Sequence, residues 1–247
     1  MPSTLPSTVP TAAPTPVPTA KPVPVETPQG SIFAAGVNSQ ALKDTLKGVI
    51  AGKDGDVPVP ALKDIADLWS TRTISAFLKL KVINGYADGT FRPDKAITRG
   101  EFAAVVAKAF GLAKSDASTL QWSDVKTHWA QEAIAVLASN GIIAGYPDGT
   151  FKPNREISRS EIIMILSKIV NFNSAAPVKA GITFSDTAHS WNKDQIARAA
   201  QIGLINGRGN NKFAPAQSST RAEALTVIMN ALCLDPEIKA LTDQLSN

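Results

Sequence analysis

The chain has 247 residues, of which 44% are hydrophobic, 19% charged and 6% aromatic, which suits a folded unit with a sizeable core. Its net charge of +4 comes from 25 basic and 21 acidic side chains, well mixed along the chain, and gives little reason to expect a nucleic-acid partner. The single cysteine, Cys233, excludes an intramolecular disulfide and any multi-cysteine zinc site, and two histidines leave little for metal or acid–base chemistry. There is no apolar run of roughly 18 residues, so no membrane insertion is expected, and no charged-then-apolar leader pattern is visible.

Residues 1–30 hold 9 of the 17 prolines and six threonines, with almost no large apolar side chains. Such a stretch cannot bury enough surface to offset its chain entropy and reads as a semi-rigid, extended linker. It is either a plain disordered tail or an O-glycosylated stalk. A chain that opens Met1-Pro2 directly onto a linker raises the expectation of a cargo module upstream. Residues 31–60 follow as a short helix and connector: Leu42, Leu46 and Ile50 have helical spacing, and a Gly/Asp/Pro stretch leads to Pro60.

The remainder is one unit written three times, over 61–113, 121–173 and 183–234, with 235–247 as a short polar helix or tail. Trp69, Trp129 and Trp191 recur at steps of 60 and 62 residues. The same steps separate Gly85, Gly145 and Gly207; Phe91, Phe151 and Phe213; Pro93, Pro153 and Pro215; and Arg99, Arg159 and Arg221. Each Trp is preceded five residues earlier by Asp64, Asp124 or Asp186. In the second copy Trp129, Ala133, Ile134, Leu137 and Ala138 predict one stripe of a first helix, which Asn140-Gly141 stops. Asp148-Gly149 predicts a tight turn between two very short strands; the third copy has Asn210-Asn211 there, the next-best choice for positive φ.

The second helix of each copy opens Thr98-Arg99-Gly100-Glu101, Ser158-Arg159-Ser160-Glu161 or Thr220-Arg221-Ala222-Glu223, and all three fit a capping box. The arginines sit at the first helical position, where the dipole disfavours a cation by up to about 1 kcal/mol. Guanidinium donors beside free backbone amides make a carboxylate or phosphate receptor. The competing reading is a salt bridge to Asp64, Asp124 or Asp186 of a neighbouring copy. The tryptophans read either as core or, beside an arginine, as a stacking face for an acidic sugar.

Other chemistries fail on the residues. Placing Gly149 at position six of a calcium loop puts Ala144, Tyr146 and Arg155 at positions one, three and twelve, which are wrong ligands. His128 and His189 fall out of register and the first copy has neither, so no repeated metal site is expected. No P-loop, dinucleotide fingerprint or nucleophile elbow is present, and no carboxylate pair stands out for glycoside hydrolysis. Neither enzymatic activity nor a cofactor is expected, and Cys233 reads as core.

Phe184-Ser185-Asp186, His128-Trp129, Gly145 to Pro153 and Thr220-Arg221-Ala222-Glu223 resemble the S-layer homology module, usually found as three tandem copies. The resemblance covers roughly residues 61–234. It implies a mainly α fold: three tandem helix–loop–helix repeats in a pseudo-threefold bundle, with short strands in the connecting loops. It further implies a secreted, non-catalytic anchor on the bacterial cell surface. Its partner would be a secondary cell-wall polysaccharide, commonly ending in pyruvylated N-acetylmannosamine, bound in grooves between repeats. By motif position the arginines Arg99, Arg159 and Arg221 would meet the ketal carboxylate. Trp69, Trp129, Trp191, Asp64, Asp124, Asp186, Gly85, Gly145 and Gly207 would line the grooves. Surface-layer self-assembly and wall-glycan hydrolysis are the alternatives. The copies differ where Leu68 replaces the histidine, where Gly100 and Ser160 replace the motif alanine, and where Arg208 replaces the tyrosine.

Overall fold

The computed structural model describes residues 31–52, 61–115, 122–179 and 181–245; the linker 1–30, the connector 53–60 and residues 246–247 lie outside the described residues. Each copy contributes two helices: α2 (Thr71–Lys79) and α3 (Arg99–Ala109), α4 (Gln131–Ser139) and α5 (Arg159–Ile169), α6 (Lys193–Gln201) and α7 (Arg221–Leu232). They are flanked by α1 (Ser39–Ile50) and α8 (Pro236–Leu245), so the architecture is mainly helical.

The second helix of each copy packs on the first helix of the next: α3 on α4, α5 on α6, and α7 back on α2. The ring therefore closes on itself. Inside it α7 touches both α3 and α5, and the second helices are buried on their apolar faces by Phe102, Ile162, Leu166, Leu225 and Ile228. All three capping boxes form as the sequence predicts, with Thr98, Ser158 and Thr220 accepting from the amides of Glu101, Glu161 and Glu223.

The closure is also written in backbone hydrogen bonds just before these caps. Ile97 N donates to Ser219 O (3.0 Å), Ser219 N to Ile157 O (3.1 Å) and Ile157 N to Ile97 O (3.0 Å). This is a three-membered cycle with one member from each copy, and all three residues are buried. The expected short strands reduce to isolated bridges between copies, such as Thr98 with Glu156 and Ser158 with Ser218. Within a copy the turn closes on a single rung, Tyr146 N to Thr150 O at 2.7 Å. Gly149 has φ +75°, and Asn210 and Asn211 occupy the left-handed region at +49° and +54°, as their side chains permit.

Two series in the repeat have structural duties. Asp64, Asp124 and Asp186 each accept from two consecutive amides beyond the turn; for Asp186 these are Phe213 N (2.9 Å) and Ala214 N (2.8 Å). The second amide of each pair belongs to a left-handed residue, Arg92, Lys152 or Ala214, so the carboxylate stabilises a strained turn. Gly85, Gly145 and Gly207 are where Leu62, Trp122 and Phe184 press on the backbone. A Cβ at Gly145 would lie 2.6 Å from Trp122 Cε2 and 2.8 Å from Thr150 O.

The flanking helices strap the ring. Ala34 N donates to Ile169 O and Asn171 N to Ile32 O, both at 2.8 Å, while Phe33 meets Phe110 edge-on at 5.9 Å. Helix α1 then lies on α8, with Lys43 3.0 Å from both Asp235 and Glu237. The C-terminal segment is thus a docked amphipathic helix that buries Ile238, Leu241 and Leu245.

Gly145→Ala is expected to lower the urea midpoint by the equivalent of about 1–3 kcal/mol, because the Trp122 indole must move. Gly141→Ala, at φ +67° with open space around it, should cost only about 1 kcal/mol. Equal losses at the two sites would remove the packing role assigned to Gly145.

Candidate functional site

The three recurring arginines are each bound inside a neighbouring copy. Arg99 of the first copy donates through Nε to Phe151 O (2.9 Å) and through Nη1 to Glu161 Oε1 (2.9 Å) of the second. Arg159 donates through Nε to Phe213 O (2.8 Å) and through Nη2 to Asn206 O (3.1 Å), with Glu223 3.7 Å from Nη1. Arg221 closes the cycle onto Phe91 O (3.0 Å) and Glu101 (3.3 Å). Every guanidinium lies 4.5 Å from the ring centroid of the same phenylalanine whose carbonyl it binds.

The sequence reading of a neighbour-copy salt bridge therefore finds the right neighbour with a different partner: the acceptor is the next capping-box glutamate. Asp64, Asp124 and Asp186 are already committed to their turns. Burial lowers the pKa of Arg99 and Arg159, and the facing carboxylates oppose that shift. Glu161 has several donors converging on it: the Ser158 amide and hydroxyl, Arg155, Arg99 and the Tyr146 hydroxyl at 2.7 Å. Burial alone would raise its carboxyl, but hydrogen bonds from Tyr146 and Ser158, with the Arg99 charge, hold it below its ordinary 4.5.

The guanidiniums are not all saturated. Among the described residues, Nη2 of Arg99 and Nη2 of Arg221 have no partner, whereas Nη2 of Arg159 is taken by Asn206.

The tryptophans lie opposite to the core reading. Trp69, Trp129 and Trp191 are 67%, 67% and 66% exposed. Each precedes its helix by two residues, so none sits on the inward stripe; in α4 that stripe is carried by Ile134 and Leu137. Exposed indoles at three equivalent places are a surface feature with no packing explanation.

Two of them, Trp191 and Trp69, stand on grooves between copies. One groove, of about 580 Å³, is lined by Tyr146, Arg155, Ser160 and Glu161 of the second copy and by His189, Ser190 and Trp191 of the third. Another, of about 190 Å³, brings together Arg159 of the second copy, Gly207, Arg208 and Glu223 of the third, and Trp69 of the first. That groove cannot exist without all three copies. Asp186 lines the larger groove and Gly207 the smaller, so these two combine a structural duty with a place at the wall.

Tyr86, Tyr146, Arg155 and Arg208 were not singled out as site residues from the sequence. Tyr146 lies under Arg99 (4.7 Å) and Tyr86 under Arg221 (5.1 Å). The signal available was the Gly-Tyr pair at the same step in the first two copies, replaced by Gly207-Arg208 in the third. Among the described residues no group of three or more His, Cys, Asp and Glu could hold a metal ion, and no helix is long and apolar enough to cross a membrane.

The S-layer homology domain pattern matches residues 61–103, 123–163 and 183–225, together just over half of the chain. The chain belongs to the S-layer homology domain family. Its relatives include Cell surface glycoprotein 1 of Acetivibrio thermocellus, 34% identical over 61% of this chain and 7% of that protein. Exoglucanase XynX of the same species is 35% identical over 68% of this chain and 16% of its own length. A Cellulosome-anchoring protein, also from that species, is 39% identical over 48% of this chain and 27% of its own length. The chain thus spans well under a third of these relatives. S-layer homology modules are anchoring modules of the bacterial cell surface, and this chain is one of them.

Arg99→Ala would take one of several donors from Glu161 and leave the Phe151 carbonyl unpaired in a mostly buried site, and should destabilise the protein by about 1–3 kcal/mol. Arg99→Lys should restore little, since one ammonium cannot serve both partners and cover the ring. Because Glu161 and Glu223 are held below 4.5 in the fold, their contribution is present above that pH and lost as pH falls through the lower folded value. Chemical-denaturation midpoints should therefore drop on acidification, and Glu161→Gln should be weaker at neutral pH with a flatter acid dependence. A Glu161→Gln acid profile parallel to that of the unmodified protein would refute this role.

Proposed function

We propose that the chain anchors a larger surface protein by binding an anionic secondary cell-wall polysaccharide in the grooves between its three copies. The observation that carries this is the set of three exposed indoles at equivalent places, two of them on grooves between copies that also hold an arginine, Arg155 beside Trp191 and Arg159 beside Trp69. A pyranose ring offers an apolar C–H face that stacks on an indole. A carboxylate on the same sugar, such as a pyruvyl ketal on N-acetylmannosamine, suits the free Nη2 donors of Arg99 and Arg221. Trp69, Trp129 and Trp191 would be the contact walls and Arg99, Arg159 and Arg221 the positive base. Asp64, Asp124, Asp186, Gly85, Gly145 and Gly207 would hold the grooves in shape.

Grooves of modest individual affinity on one rigid ring act together, since a second site on the same glycan strand binds at high effective concentration. The proline- and threonine-rich residues 1–30 suit a spacer between this anchor and a cargo domain upstream. Among the relatives, one is named as an exoglucanase and another as a cellulosome-anchoring protein, which fits one anchor serving different cargoes. The chain itself is read as non-catalytic, without cofactor, nucleic-acid partner or membrane insertion.

The test is co-sedimentation with wall sacculi of Acetivibrio thermocellus and Bacillus anthracis, intact and after hydrofluoric acid has stripped their polysaccharide. Binding to intact sacculi from at least one source, lost on stripping, is expected. Persistence on stripped peptidoglycan, or no binding to either source, would overturn the reading. The combined Trp69→Ala, Trp129→Ala and Trp191→Ala variant should bind at least roughly tenfold more weakly with little change in melting temperature, because the indoles are mostly solvated.

A further inference from the structure

The copies differ at two matched positions, which face each other between adjacent copies in the first two pairings. One is the residue after the capping-box arginine; the other is the residue before the next copy's tryptophan. In the first pairing these are Gly100 and His128, in the second Ser160 and Ser190, and in the third Ala222 and Leu68.

Gly100 makes room for the imidazole: a Cβ there would lie 2.8 Å from His128 Cε1. His128 Nδ1 accepts from Ala130 N (3.1 Å), so Nε2 carries the proton and donates to Asn154 Oδ1 (3.1 Å). Both ring nitrogens are engaged. The third pair is aliphatic. In that copy Arg208 grips both carboxylate oxygens of Glu223 and also Gln217, and Arg159 has spent Nη2 on Asn206.

The second floor is different. Asn192, almost fully buried, donates through Nδ2 to Ser160 O (2.9 Å), which leaves Oδ1 as an acceptor. Ser190 Oγ lies 3.2 Å from that oxygen and must donate to it. The 3.3 Å contact between Ser160 Oγ and Ser190 Oγ is then donated by Ser160. Both hydroxyl protons are used inward, so what remains for a ligand is acceptor lone pairs. Arg155 stands at the mouth, Trp191 forms the wall, and the groove measures about 580 Å³, within the range of small-ligand sites.

We propose that the groove floored by Ser160 and Ser190 is the principal glycan site, and that this serine pair selects a sugar unit presenting a hydroxyl or acetamido N–H donor. The third groove, closed by Arg208, contributes least. This rests on the reading that the grooves bind wall glycan.

The test is calorimetric titration with polysaccharide released from the sacculi that bind the protein. Ser160→Ala combined with Ser190→Ala should weaken binding by at least about fivefold, the scale of one or two lost hydrogen bonds. Ser160→Ala alone keeps the Ser190–Asn192 bond, so a loss on that variant with an unchanged melting temperature reports recognition rather than folding. Ser190→Thr keeps the hydroxyl and should restore most of the affinity lost in Ser190→Ala. Arg208→Tyr, which gives the third groove the residue of the other two, should raise the number of sugar units bound. A fall of less than fivefold in the double variant, while the triple tryptophan variant loses binding, would overturn the serine selection and leave the anchoring role standing. Failure of the unmodified protein to bind the polysaccharide would overturn both.

Discussion

The fold depends on a guanidinium that each copy places inside its neighbour. Arg99, Arg159 and Arg221 leave their own helices at the first turn, donate to a phenylalanine carbonyl, lie over that phenylalanine's ring and pair with the next capping-box glutamate. A cation at a helix N-terminus is unfavourable in isolation. Here the carboxylate of the adjacent copy neutralises it, and that carboxylate is itself fixed by capping its own helix. Each glutamate therefore serves both the local structure of one copy and the junction between two. A unit of about 50 residues with one apolar face cannot bury that face alone, and three such units in a cycle can.

That exchange also determines what the grooves contain. In the smaller groove the glutamate and Arg208 come from one copy, the Arg159 guanidinium from the copy before, and the Trp69 indole from the copy after. A groove made this way has no existence in a single repeat. Its base is rigid because it coincides with the junctions that hold the ring, and its wall, the exposed tryptophan, is free of that duty. Change is tolerated at the position after the arginine, as Gly100, Ser160 and Ala222 illustrate, while the arginine and the glutamate and phenylalanine that accept from it stay constant in all three copies.

Much of this was legible in the sequence because the repeat is in phase. The capping boxes, the helical ends at Asn140-Gly141 and the left-handed Asn210-Asn211 follow from local rules and are found where those rules put them. The arginine's destination was half legible. An uncompensated cation at the first helical position announces a partner from elsewhere, but spacing alone could not say which acid. Asp64, Asp124 and Asp186 look available until the left-handed turns 27 and 28 residues downstream are seen to consume them. The exposure of the tryptophans turned on a two-residue shift. A tryptophan counted into the helix lands on the apolar stripe, whereas one held in the preceding turn points to solvent. Helix starts are read from sequence with about that uncertainty.

The same arginine links stability to the proposed recognition. A guanidinium that used all of its N–H groups inside the protein would be a purely structural ion pair, and a fully solvated one would have weak, screened attraction for a ligand. Arg99 and Arg221 lie between these limits: two donors are committed and buried, while Nη2 is left without a partner. The committed donors fix the position of the free one at no further cost in side-chain entropy when a ligand arrives. Arg159 shows the other outcome. Where the other copies have tyrosine, Arg208 binds Glu223, and Arg159 keeps its place over the Phe213 ring but lies 3.7 Å from that carboxylate, with Nη2 on the Asn206 carbonyl. The number of committed donors is the same in all three arginines, and what differs is which nitrogen is left over: Nη2 in Arg99 and Arg221, and in Arg159 Nη1, which has Glu223 at 3.7 Å.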